Sequence, residues 1–562
     1  MNFTNSKYIS SNKKSAQLIV EKCFNYGIEN VILSPGSRNA PLIIAFDNHP
    51  AFTCYSIPDE RSAAFFALGM ARQTDKPVAI VCTSGTAVLN FAPALTEAYY
   101  QEIPIIAITA DRPPELIDQE DGQTIRQDNI FANHIRYSVS LPVDDEHILN
   151  AKSEIETAFY NALSYPKGPV HINVPFREPL YDTEEIKIVH NSVDISNNLN
   201  IETDKLDKLI DAVTDADKIM LIAGVHLPER EINNLANLLA TDKNFVVLAG
   251  ATSNIYGEEI INIYDIVLKN IKNAEVDKFK PQVLITIGGS VVSKIVKQFL
   301  RDTDNLIHYD IDVNPQKIDT YFSLTDTIVS HPEDALKYLY ENIEPADGFF
   351  KNIWIEKQRF VNEQFKNIFS VDKLFDLAVF SSFFDNLNEE INLHLANSTP
   401  VRYAEFFAKS ELVNYYCNRG TSGIDGSLST TAGAALVSDT LTVLITGDIG
   451  FVYDSNAFWN RHIPDNLRIL LINNSGGNIF KIIPGPGTTN QLKDFFETKQ
   501  NANNELLCKA FNINYLSATN SNELKQQLSS FLDLNAGATV LEVFTDAELN
   551  VEIFEKLNKL TN

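Results

Sequence analysis

Short continuous apolar runs, each ending in small or polar residues, recur along the whole chain. In its first third they cover residues 31–33, 78–81 and 105–108, and segments with helical spacing occupy 62–72 and 87–100. Runs of this kind predict strands buried on both faces, and their interleaving with helices predicts a parallel sheet covered on each side. The rhythm returns at 218–222, 245–248 and 283–287, and again at 442–446, 467–472 and 538–543. The implied fold class is α/β, with three doubly wound parallel-sheet domains at 1–185, 186–350 and 351–562, the last including a linker that precedes it. The acidic, Asn-rich stretch 182–207 and the aromatic, helix-forming stretch 349–374 read as connecting segments. The first and third units share size and alternation, as two related lobes flanking a third would.

In such sheets ligands sit beyond the carboxyl ends of the strands. In the first unit those ends are Ser34-Pro35-Gly36-Ser37-Arg38, Thr83-Ser84-Gly85-Thr86 and Thr109-Ala110-Asp111-Arg112. In the middle unit Gly288-Gly289-Ser290 has the form of a phosphate turn, although a glycine pair is equally a plain turn. In the third unit Gly447-Asp448-Ile449-Gly450 closes one apolar run, and Asn473-Asn474 closes the next, with Gly476-Gly477 just beyond. A carboxylate and a carboxamide at the ends of neighbouring strands can converge on one point. A backbone carbonyl can complete an oxygen cage for Mg²⁺ or Mn²⁺, an ion usually held together with phosphate oxygens. Asp448, Asn474 and the Gly476 carbonyl are the expected metal ligands.

Asp59-Glu60-Arg61 introduces an apolar helix. A carboxylate there can serve only the helix dipole. Alternatively, Glu60 is held against apolar surroundings and shares a proton with a ligand nitrogen.

Charge sharpens the picture. The 562 residues carry 46 Lys and Arg against 73 Asp and Glu, a net charge of −27. That balance argues against a nucleic-acid partner, which calls for a basic face. In so acidic a chain, Arg38, Arg112, Arg402 and Arg419, each in a predicted loop, point to anionic substrates, because the guanidinium fork matches a carboxylate. No apolar run approaches the length of a membrane span, and the polar start, 1–14, lacks a secretory signal. The five cysteines are scattered without a C-x-x-C pair, as in a reduced, cytoplasmic protein.

The strings Ser34-Pro35-Gly36-Ser37-Arg38, Thr83-Ser84-Gly85-Thr86, Asp111-Arg112-Pro113-Pro114-Glu115-Leu116, Asn397-Ser398 with Arg402, Asn418-Arg419-Gly420-Thr421-Ser422-Gly423-Ile424-Asp425-Gly426 and Asn473-Asn474-Ser475-Gly476-Gly477 occur in this order. Together they resemble the 2-succinyl-5-enolpyruvyl-6-hydroxy-3-cyclohexene-1-carboxylate synthase family, thiamin diphosphate enzymes of menaquinone biosynthesis. The likeness covers both outer units; the middle one carries little of it. Two positions depart from the wider pattern: Ile449 stands where the thiamin motif commonly has Gly, and Gly122 where family members place Asn.

The resemblance implies a pyruvate-decarboxylase-like architecture with a pyrimidine-binding N-terminal domain, a central Rossmann-like domain and a diphosphate-binding C-terminal domain. It implies a transferase that decarboxylates 2-oxoglutarate and adds the succinic semialdehyde carbanion in 1,4 fashion to isochorismate. Glu60 becomes the catalytic carboxyl, facing N1′ of the aminopyrimidine. Thiamin diphosphate falls to Glu60, Thr83, Ser84, Gly85, Ser398, Ile424, Gly447, Asp448, Ile449, Gly450, Asn474, Gly476 and Ile479, with Ile424 wedged between its rings. Ser398 and Arg402 hold the distal carboxylate of the 2-oxoglutarate-derived piece. Ser37, Arg38, Arg112, Gln123 and Arg419 address isochorismate, and Lys294 offers a point charge from the middle unit. Ile479 and Phe480 form an apolar wall. Which arginine takes which carboxylate stays open. Sites shared between chains imply a homodimer or homotetramer. Two other readings remain: a carboligase acting on pyruvate in the manner of acetolactate synthase, or a non-catalytic metabolite-binding regulator on the same scaffold.

Overall fold

The computed structural model describes residues 6–143, 147–148, 151–195, 197, 199, 202–368, 373–407, 411–483, 485–499 and 501–560. Three six-stranded sheets hold nearly all the strands, and every pairing within them is parallel. The first runs Thr53–Ser56, Asn30–Leu33, Val78–Cys82, Ile105–Asp111, Val170–Pro175, Tyr137–Ser140 in space. The third runs Val413–Cys417, Ile391–Leu395, Leu441–Gly447, Leu467–Asn473, Thr539–Phe544, Asn514–Ala518. Ranked by chain order within each sheet, both read 2-1-3-4-6-5. The outer units therefore share one connectivity, as their matching rhythm implies. The middle sheet reads 3-2-1-4-5-6, the order of a dinucleotide-binding doubly wound fold.

The expectation of three doubly wound α/β units holds, with local differences. The helix read over 87–100 is two helices, Thr86–Asn90 and Ala92–Gln101. Pro93 lacks the N–H that a continuous helix would use, so the chain restarts there. The stretch read as a connector from 182 begins with a strand, Thr183–Lys187, paired antiparallel with Lys7–Ser11. Its charged Thr-Glu-Glu-Ile-Lys sequence buries little and so leaves no apolar signature. Over 349–374 a helix, Phe349–Ile368, lies on the flank of the middle unit. Gln358 bonds the Ile260 carbonyl at 2.8 Å and the Asn262 N–H at 3.0 Å, and the buried Trp354 bonds the Phe279 carbonyl at 3.3 Å.

The glycine pair of the middle unit serves packing. The Gly289 N–H donates to the Val225 carbonyl at 2.8 Å. A Cβ on Gly224 would lie 1.7 Å from the Gly289 oxygen. The two loops at the switch point thus fill each other's space.

The outer units dock directly. Helix Glu60–Thr74 packs along helix Ser427–Leu436. A Cβ on Gly69 would stand 1.9 Å from the Thr430 carbonyl oxygen, and one on Gly433 would stand 2.1 Å from that of Phe66. Among the described residues no helix is long and apolar enough to cross a membrane.

Candidate active site

The candidate metal anchor assembles from two adjacent parallel strands. Leu441–Gly447 and Leu467–Asn473 are neighbours in register, so Asp448 and Asn474 emerge side by side. Asp448 is buried; its Oδ1 accepts the Ile449 N–H at 2.9 Å, while its Oδ2 is buried without a partner. Burial pushes its carboxyl up to about 6, opposed by the Ile449 and Gly476 N–H groups. Of the two asparagines, Asn473 is fully engaged: its Nδ2 donates to Glu542 at 2.7 Å and its Oδ1 accepts the Ser475 N–H at 3.1 Å. Asn474 spends only its nitrogen, on Asp376 Oδ2 at 2.9 Å. Asp376 is completely buried and also bonds Thr545 at 2.6 Å and Asn550 at 2.8 Å. Gly476, at φ +127°, sits in a conformation that suits glycine, and a Cβ there would be 2.4 Å from the Glu497 carbonyl. An orphaned buried carboxylate oxygen beside an unclaimed amide oxygen fits a hard cation, whose oxygen ligands this is the means to supply.

At Glu60 the choice left open by sequence resolves in part. Asp59 is the helix cap: its Oδ1 accepts the N–H groups of Arg61 at 2.9 Å and Ser62 at 3.2 Å, and its Oδ2 accepts from Asn456 at 2.6 Å. With the cap supplied by its neighbour, Glu60 is half-buried and is bonded by Asn90 at 3.3 Å. Arg61 donates to the Tyr453 carbonyl at 2.9 Å. The residues on either side of Glu60 therefore touch the segment that follows Asp448 in the same chain.

The N-unit loops converge as expected. A Cβ on Gly36 would lie 2.3 Å from Thr83 Cβ, and one on Gly85, at φ +86°, would lie 3.4 Å from the Gln123 backbone. The hydroxyls of Thr83 and Ser84 are buried and unpartnered. Gln127, which sequence reasoning missed, holds this turn: its Oε1 accepts the Gly85 N–H at 3.0 Å and its amide reaches the Ala110 carbonyl and Asn173. Ser37 and Gln123 are exposed, with Gln123 at φ +56°. Arg38 is buried; it bonds the Phe176 carbonyl at 3.0 Å and pairs with Glu178 at 3.1 Å. Burial and then the Arg112 charge lower its pKa. Arg112 meets Asp121 at 3.5 Å. Both Nε atoms are buried without acceptors.

In the C unit Asn397 stitches the motif loop. Its amide donates to the carbonyls of Asn418 at 2.7 Å and Gly423 at 2.6 Å, and its oxygen accepts from Arg419 at 3.0 Å. Glu97 of the N unit grips the same loop, accepting the Gly420 N–H at 2.7 Å and the Thr421 N–H at 2.6 Å. Asn397 stands in one of the motif strings, whereas Glu97 carried no motif signal of its own. Ser398 adopts φ +82°, backbone strain of the kind that concentrates at binding sites. Ile424 is 40% exposed, unlike a core isoleucine, and its carbonyl lies 3.5 Å from where a Cβ on Gly450 would be. Gly447, Ile449, Ile479 and Phe480 are half-buried, and Lys294 is exposed at the start of a middle-unit helix.

Comparison with known proteins gives a consistent result. Residues 13–131 match the family described as "Thiamine pyrophosphate enzyme, N-terminal TPP binding domain". The chain is 40% identical over 535 residues to a 2-succinyl-5-enolpyruvyl-6-hydroxy-3-cyclohexene-1-carboxylate synthase of Flavobacterium psychrophilum, covering 95% of this chain and 96% of that protein. Proteins of the same name from Flavobacterium johnsoniae and Cytophaga hutchinsonii are 40% and 39% identical, with 97% and 96% of this chain and 98% of each relative covered. The crystal structure of benzoylformate decarboxylase from Polynucleobacter necessarius has the same fold, with a TM-score of 0.72 at 16% identity over 96% of this chain and 99% of that one.

Proposed function

The chain belongs to the 2-succinyl-5-enolpyruvyl-6-hydroxy-3-cyclohexene-1-carboxylate synthase family, and on that premise we propose how its residues perform the reaction. It decarboxylates 2-oxoglutarate and joins the remaining four-carbon unit to isochorismate, a step of menaquinone biosynthesis. Bound thiamin diphosphate supplies the electron sink that makes decarboxylation and carbon–carbon bond formation accessible. Asp448 Oδ2, Asn474 Oδ1 and the Gly476 carbonyl would hold Mg²⁺ or Mn²⁺, and with it the diphosphate. Glu60 would hold the proton that it shares with the pyrimidine nitrogen of the bound cofactor. Ile424, exposed beside the anchor, would pack against the bound cofactor. The orphaned hydroxyls of Thr83 and Ser84 and the Gly85 turn border the same ligand.

Both substrates are dicarboxylates. Arg402 with Ser398 takes the distal carboxylate of 2-oxoglutarate, and Ser37, Arg38, Arg112, Gln123 and Arg419 take isochorismate. Ile479 and Phe480 exclude water, and Lys294 adds charge at the rim. The three units divide near residues 185 and 350. We also propose a homodimer or homotetramer with sites between chains, as the family resemblance implies. All five cysteines are free, which supports a cytoplasmic setting.

The observation that carries this reading is the buried, partnerless Oδ2 of Asp448 next to an Asn474 oxygen that no protein donor claims. The test is direct. Isochorismate absorbance should fall only when protein, thiamin diphosphate, Mg²⁺ and 2-oxoglutarate are all present. Turnover of pyruvate in place of 2-oxoglutarate would favour an acetolactate-type enzyme, and no turnover of either would favour a regulator.

A further inference from the structure

At the carboxyl end of the middle-sheet strand Val246–Ala249 the chain turns through Gly250 into the short helix Ala251–Ser253. A side chain of the third unit is seated in this turn. Glu405 Oε2 accepts the Ala251 N–H at 2.8 Å. A Cβ on Gly250 would stand 2.0 Å from the same oxygen and 2.7 Å from the carboxyl carbon. Gly250 itself, at φ −84° and ψ 175°, has a backbone that any residue adopts, so its bare α-carbon matters here for the room it leaves Glu405. The second oxygen, Oε1, is buried without a partner. Burial pushes the carboxyl up to about 8, so at neutral pH a carboxamide is a close stand-in for it.

The place of Glu405 in the chain gives this contact its meaning. It directly follows helix Thr399–Ala404, which carries Arg402 and begins at Ser398. A helix of 6 residues has little stability of its own, so its direction depends on what its ends are fastened to. Just beyond Glu405, Phe406 stacks on Phe365 at 5.1 Å. Glu405 adds the polar tie. The same turn of the middle unit also reaches the other arginine loop of the third unit. Asn254 Oδ1 accepts the Tyr415 N–H at 2.7 Å, and its amide donates to the Tyr415 carbonyl at 3.0 Å. Tyr415 lies on strand Val413–Cys417, which runs into Asn418-Arg419. Residues 250–254 thus grip both segments that lead to Arg402 and Arg419.

We propose that Glu405 is a positioning residue: seated in the Gly250–Ala251 turn, it fixes the helix that presents Ser398 and Arg402, and through it the middle unit sets the affinity for 2-oxoglutarate. The proposal rests on the assignment of Ser398 and Arg402 to that substrate.

Steady-state kinetics of the Glu405→Ala and Gly250→Ala holoenzymes test it. Each should raise the KM for 2-oxoglutarate about tenfold, the scale of one buried hydrogen bond, with kcat nearly unchanged. The KM for isochorismate should stay within about twofold of wild type, and Glu405→Gln, which keeps the acceptor, should recover most of the loss. Adding Gly250→Ala to Glu405→Ala should cost nothing more, because the carboxyl that the new Cβ would meet is already gone. An unchanged KM for 2-oxoglutarate in either single variant overturns the proposal. So do equal rises in both KM values, additive losses in the double variant, or no recovery in Glu405→Gln. A second measurement needs no turnover, and Gly250→Ala, which keeps every polar group, serves it even where Glu405→Ala does not fold. Hydrogen exchange over 399–407, read by mass spectrometry, should quicken in the alanine variants and return to the wild-type rate in Glu405→Gln. Equal exchange in all of them overturns the proposal. Wild-type protein that consumes no isochorismate defeats the broader functional reading instead, and the exchange rates still decide whether Glu405 holds the helix.

Discussion

Asn474 donates its amide nitrogen to Asp376 Oδ2 at 2.9 Å, and this bond decides which way its oxygen faces. Asp376 lies 98 residues earlier in the chain, yet it orients the residue proposed to complete a cation site with Asp448. Supports of this kind tune metal affinity through the ligand they hold.

Removing that support should loosen the cofactor. Asp376→Ala is expected to weaken Mg²⁺-dependent thiamin diphosphate binding about ten- to a hundredfold. Asp448→Ala, which removes a ligand outright, should weaken it further. Calorimetry with and without Mg²⁺ ranks the two, and equal affinity in wild type and Asp448→Ala would refute the anchor.

Glu60→Gln should behave in the opposite way. The capping of helix Glu60–Thr74 belongs to Asp59, so the helix and the metal site stay intact. Carboligation should cease, while cofactor binding stays within about threefold of wild type. Turnover near the wild-type rate would remove Glu60 from the mechanism.

Glycine at positions 69 and 433 is required by backbone approach between the outer units. Gly69→Ala puts a methyl group into the Thr430 carbonyl, so the two helices must separate. The expected cost is about 1–3 kcal/mol, read as a lower thermal midpoint. An unchanged midpoint would show that the seam yields freely.

Asp454 gives the seam a pH dependence. It is fully buried, bonds the Ser429 N–H at 2.7 Å and hydroxyl at 2.9 Å, and lies 4.0 Å from Arg61. Burial raises its carboxyl from the ordinary 3.8 to about 7. Within that window the folded chain keeps a proton the unfolded chain has lost, so stability falls as pH rises from 3.8 toward about 7. Denaturant unfolding of Asp454→Asn at several pH values should show a shallower fall than wild type. Parallel curves would mean that Asp454 does not titrate there.

Much of this molecule was legible in its sequence because buried parallel strands are written as unbroken apolar runs. The edge strands Thr53–Ser56, Tyr137–Ser140 and Asn514–Ala518 are less buried, and they left no such run to read. The site's motif residues stood out through their unusual types at strand ends. Three of their supports did not: Asp376, Gln127 and Glu97 act across 98, 42 and 323 residues of separation. Nothing local marks a side chain whose partner lies that far along the chain.

The Glu97 carboxylate, anchored in the first unit and gripping the Gly420–Thr421 backbone of the last, bears on any attempt at dissection. A C-terminal fragment expressed alone would keep its sheet but lose the tether that shapes the turn bearing Arg419. Modular borrowing of that half as a ready-made scaffold would therefore import a slack pocket unless an equivalent brace came with it.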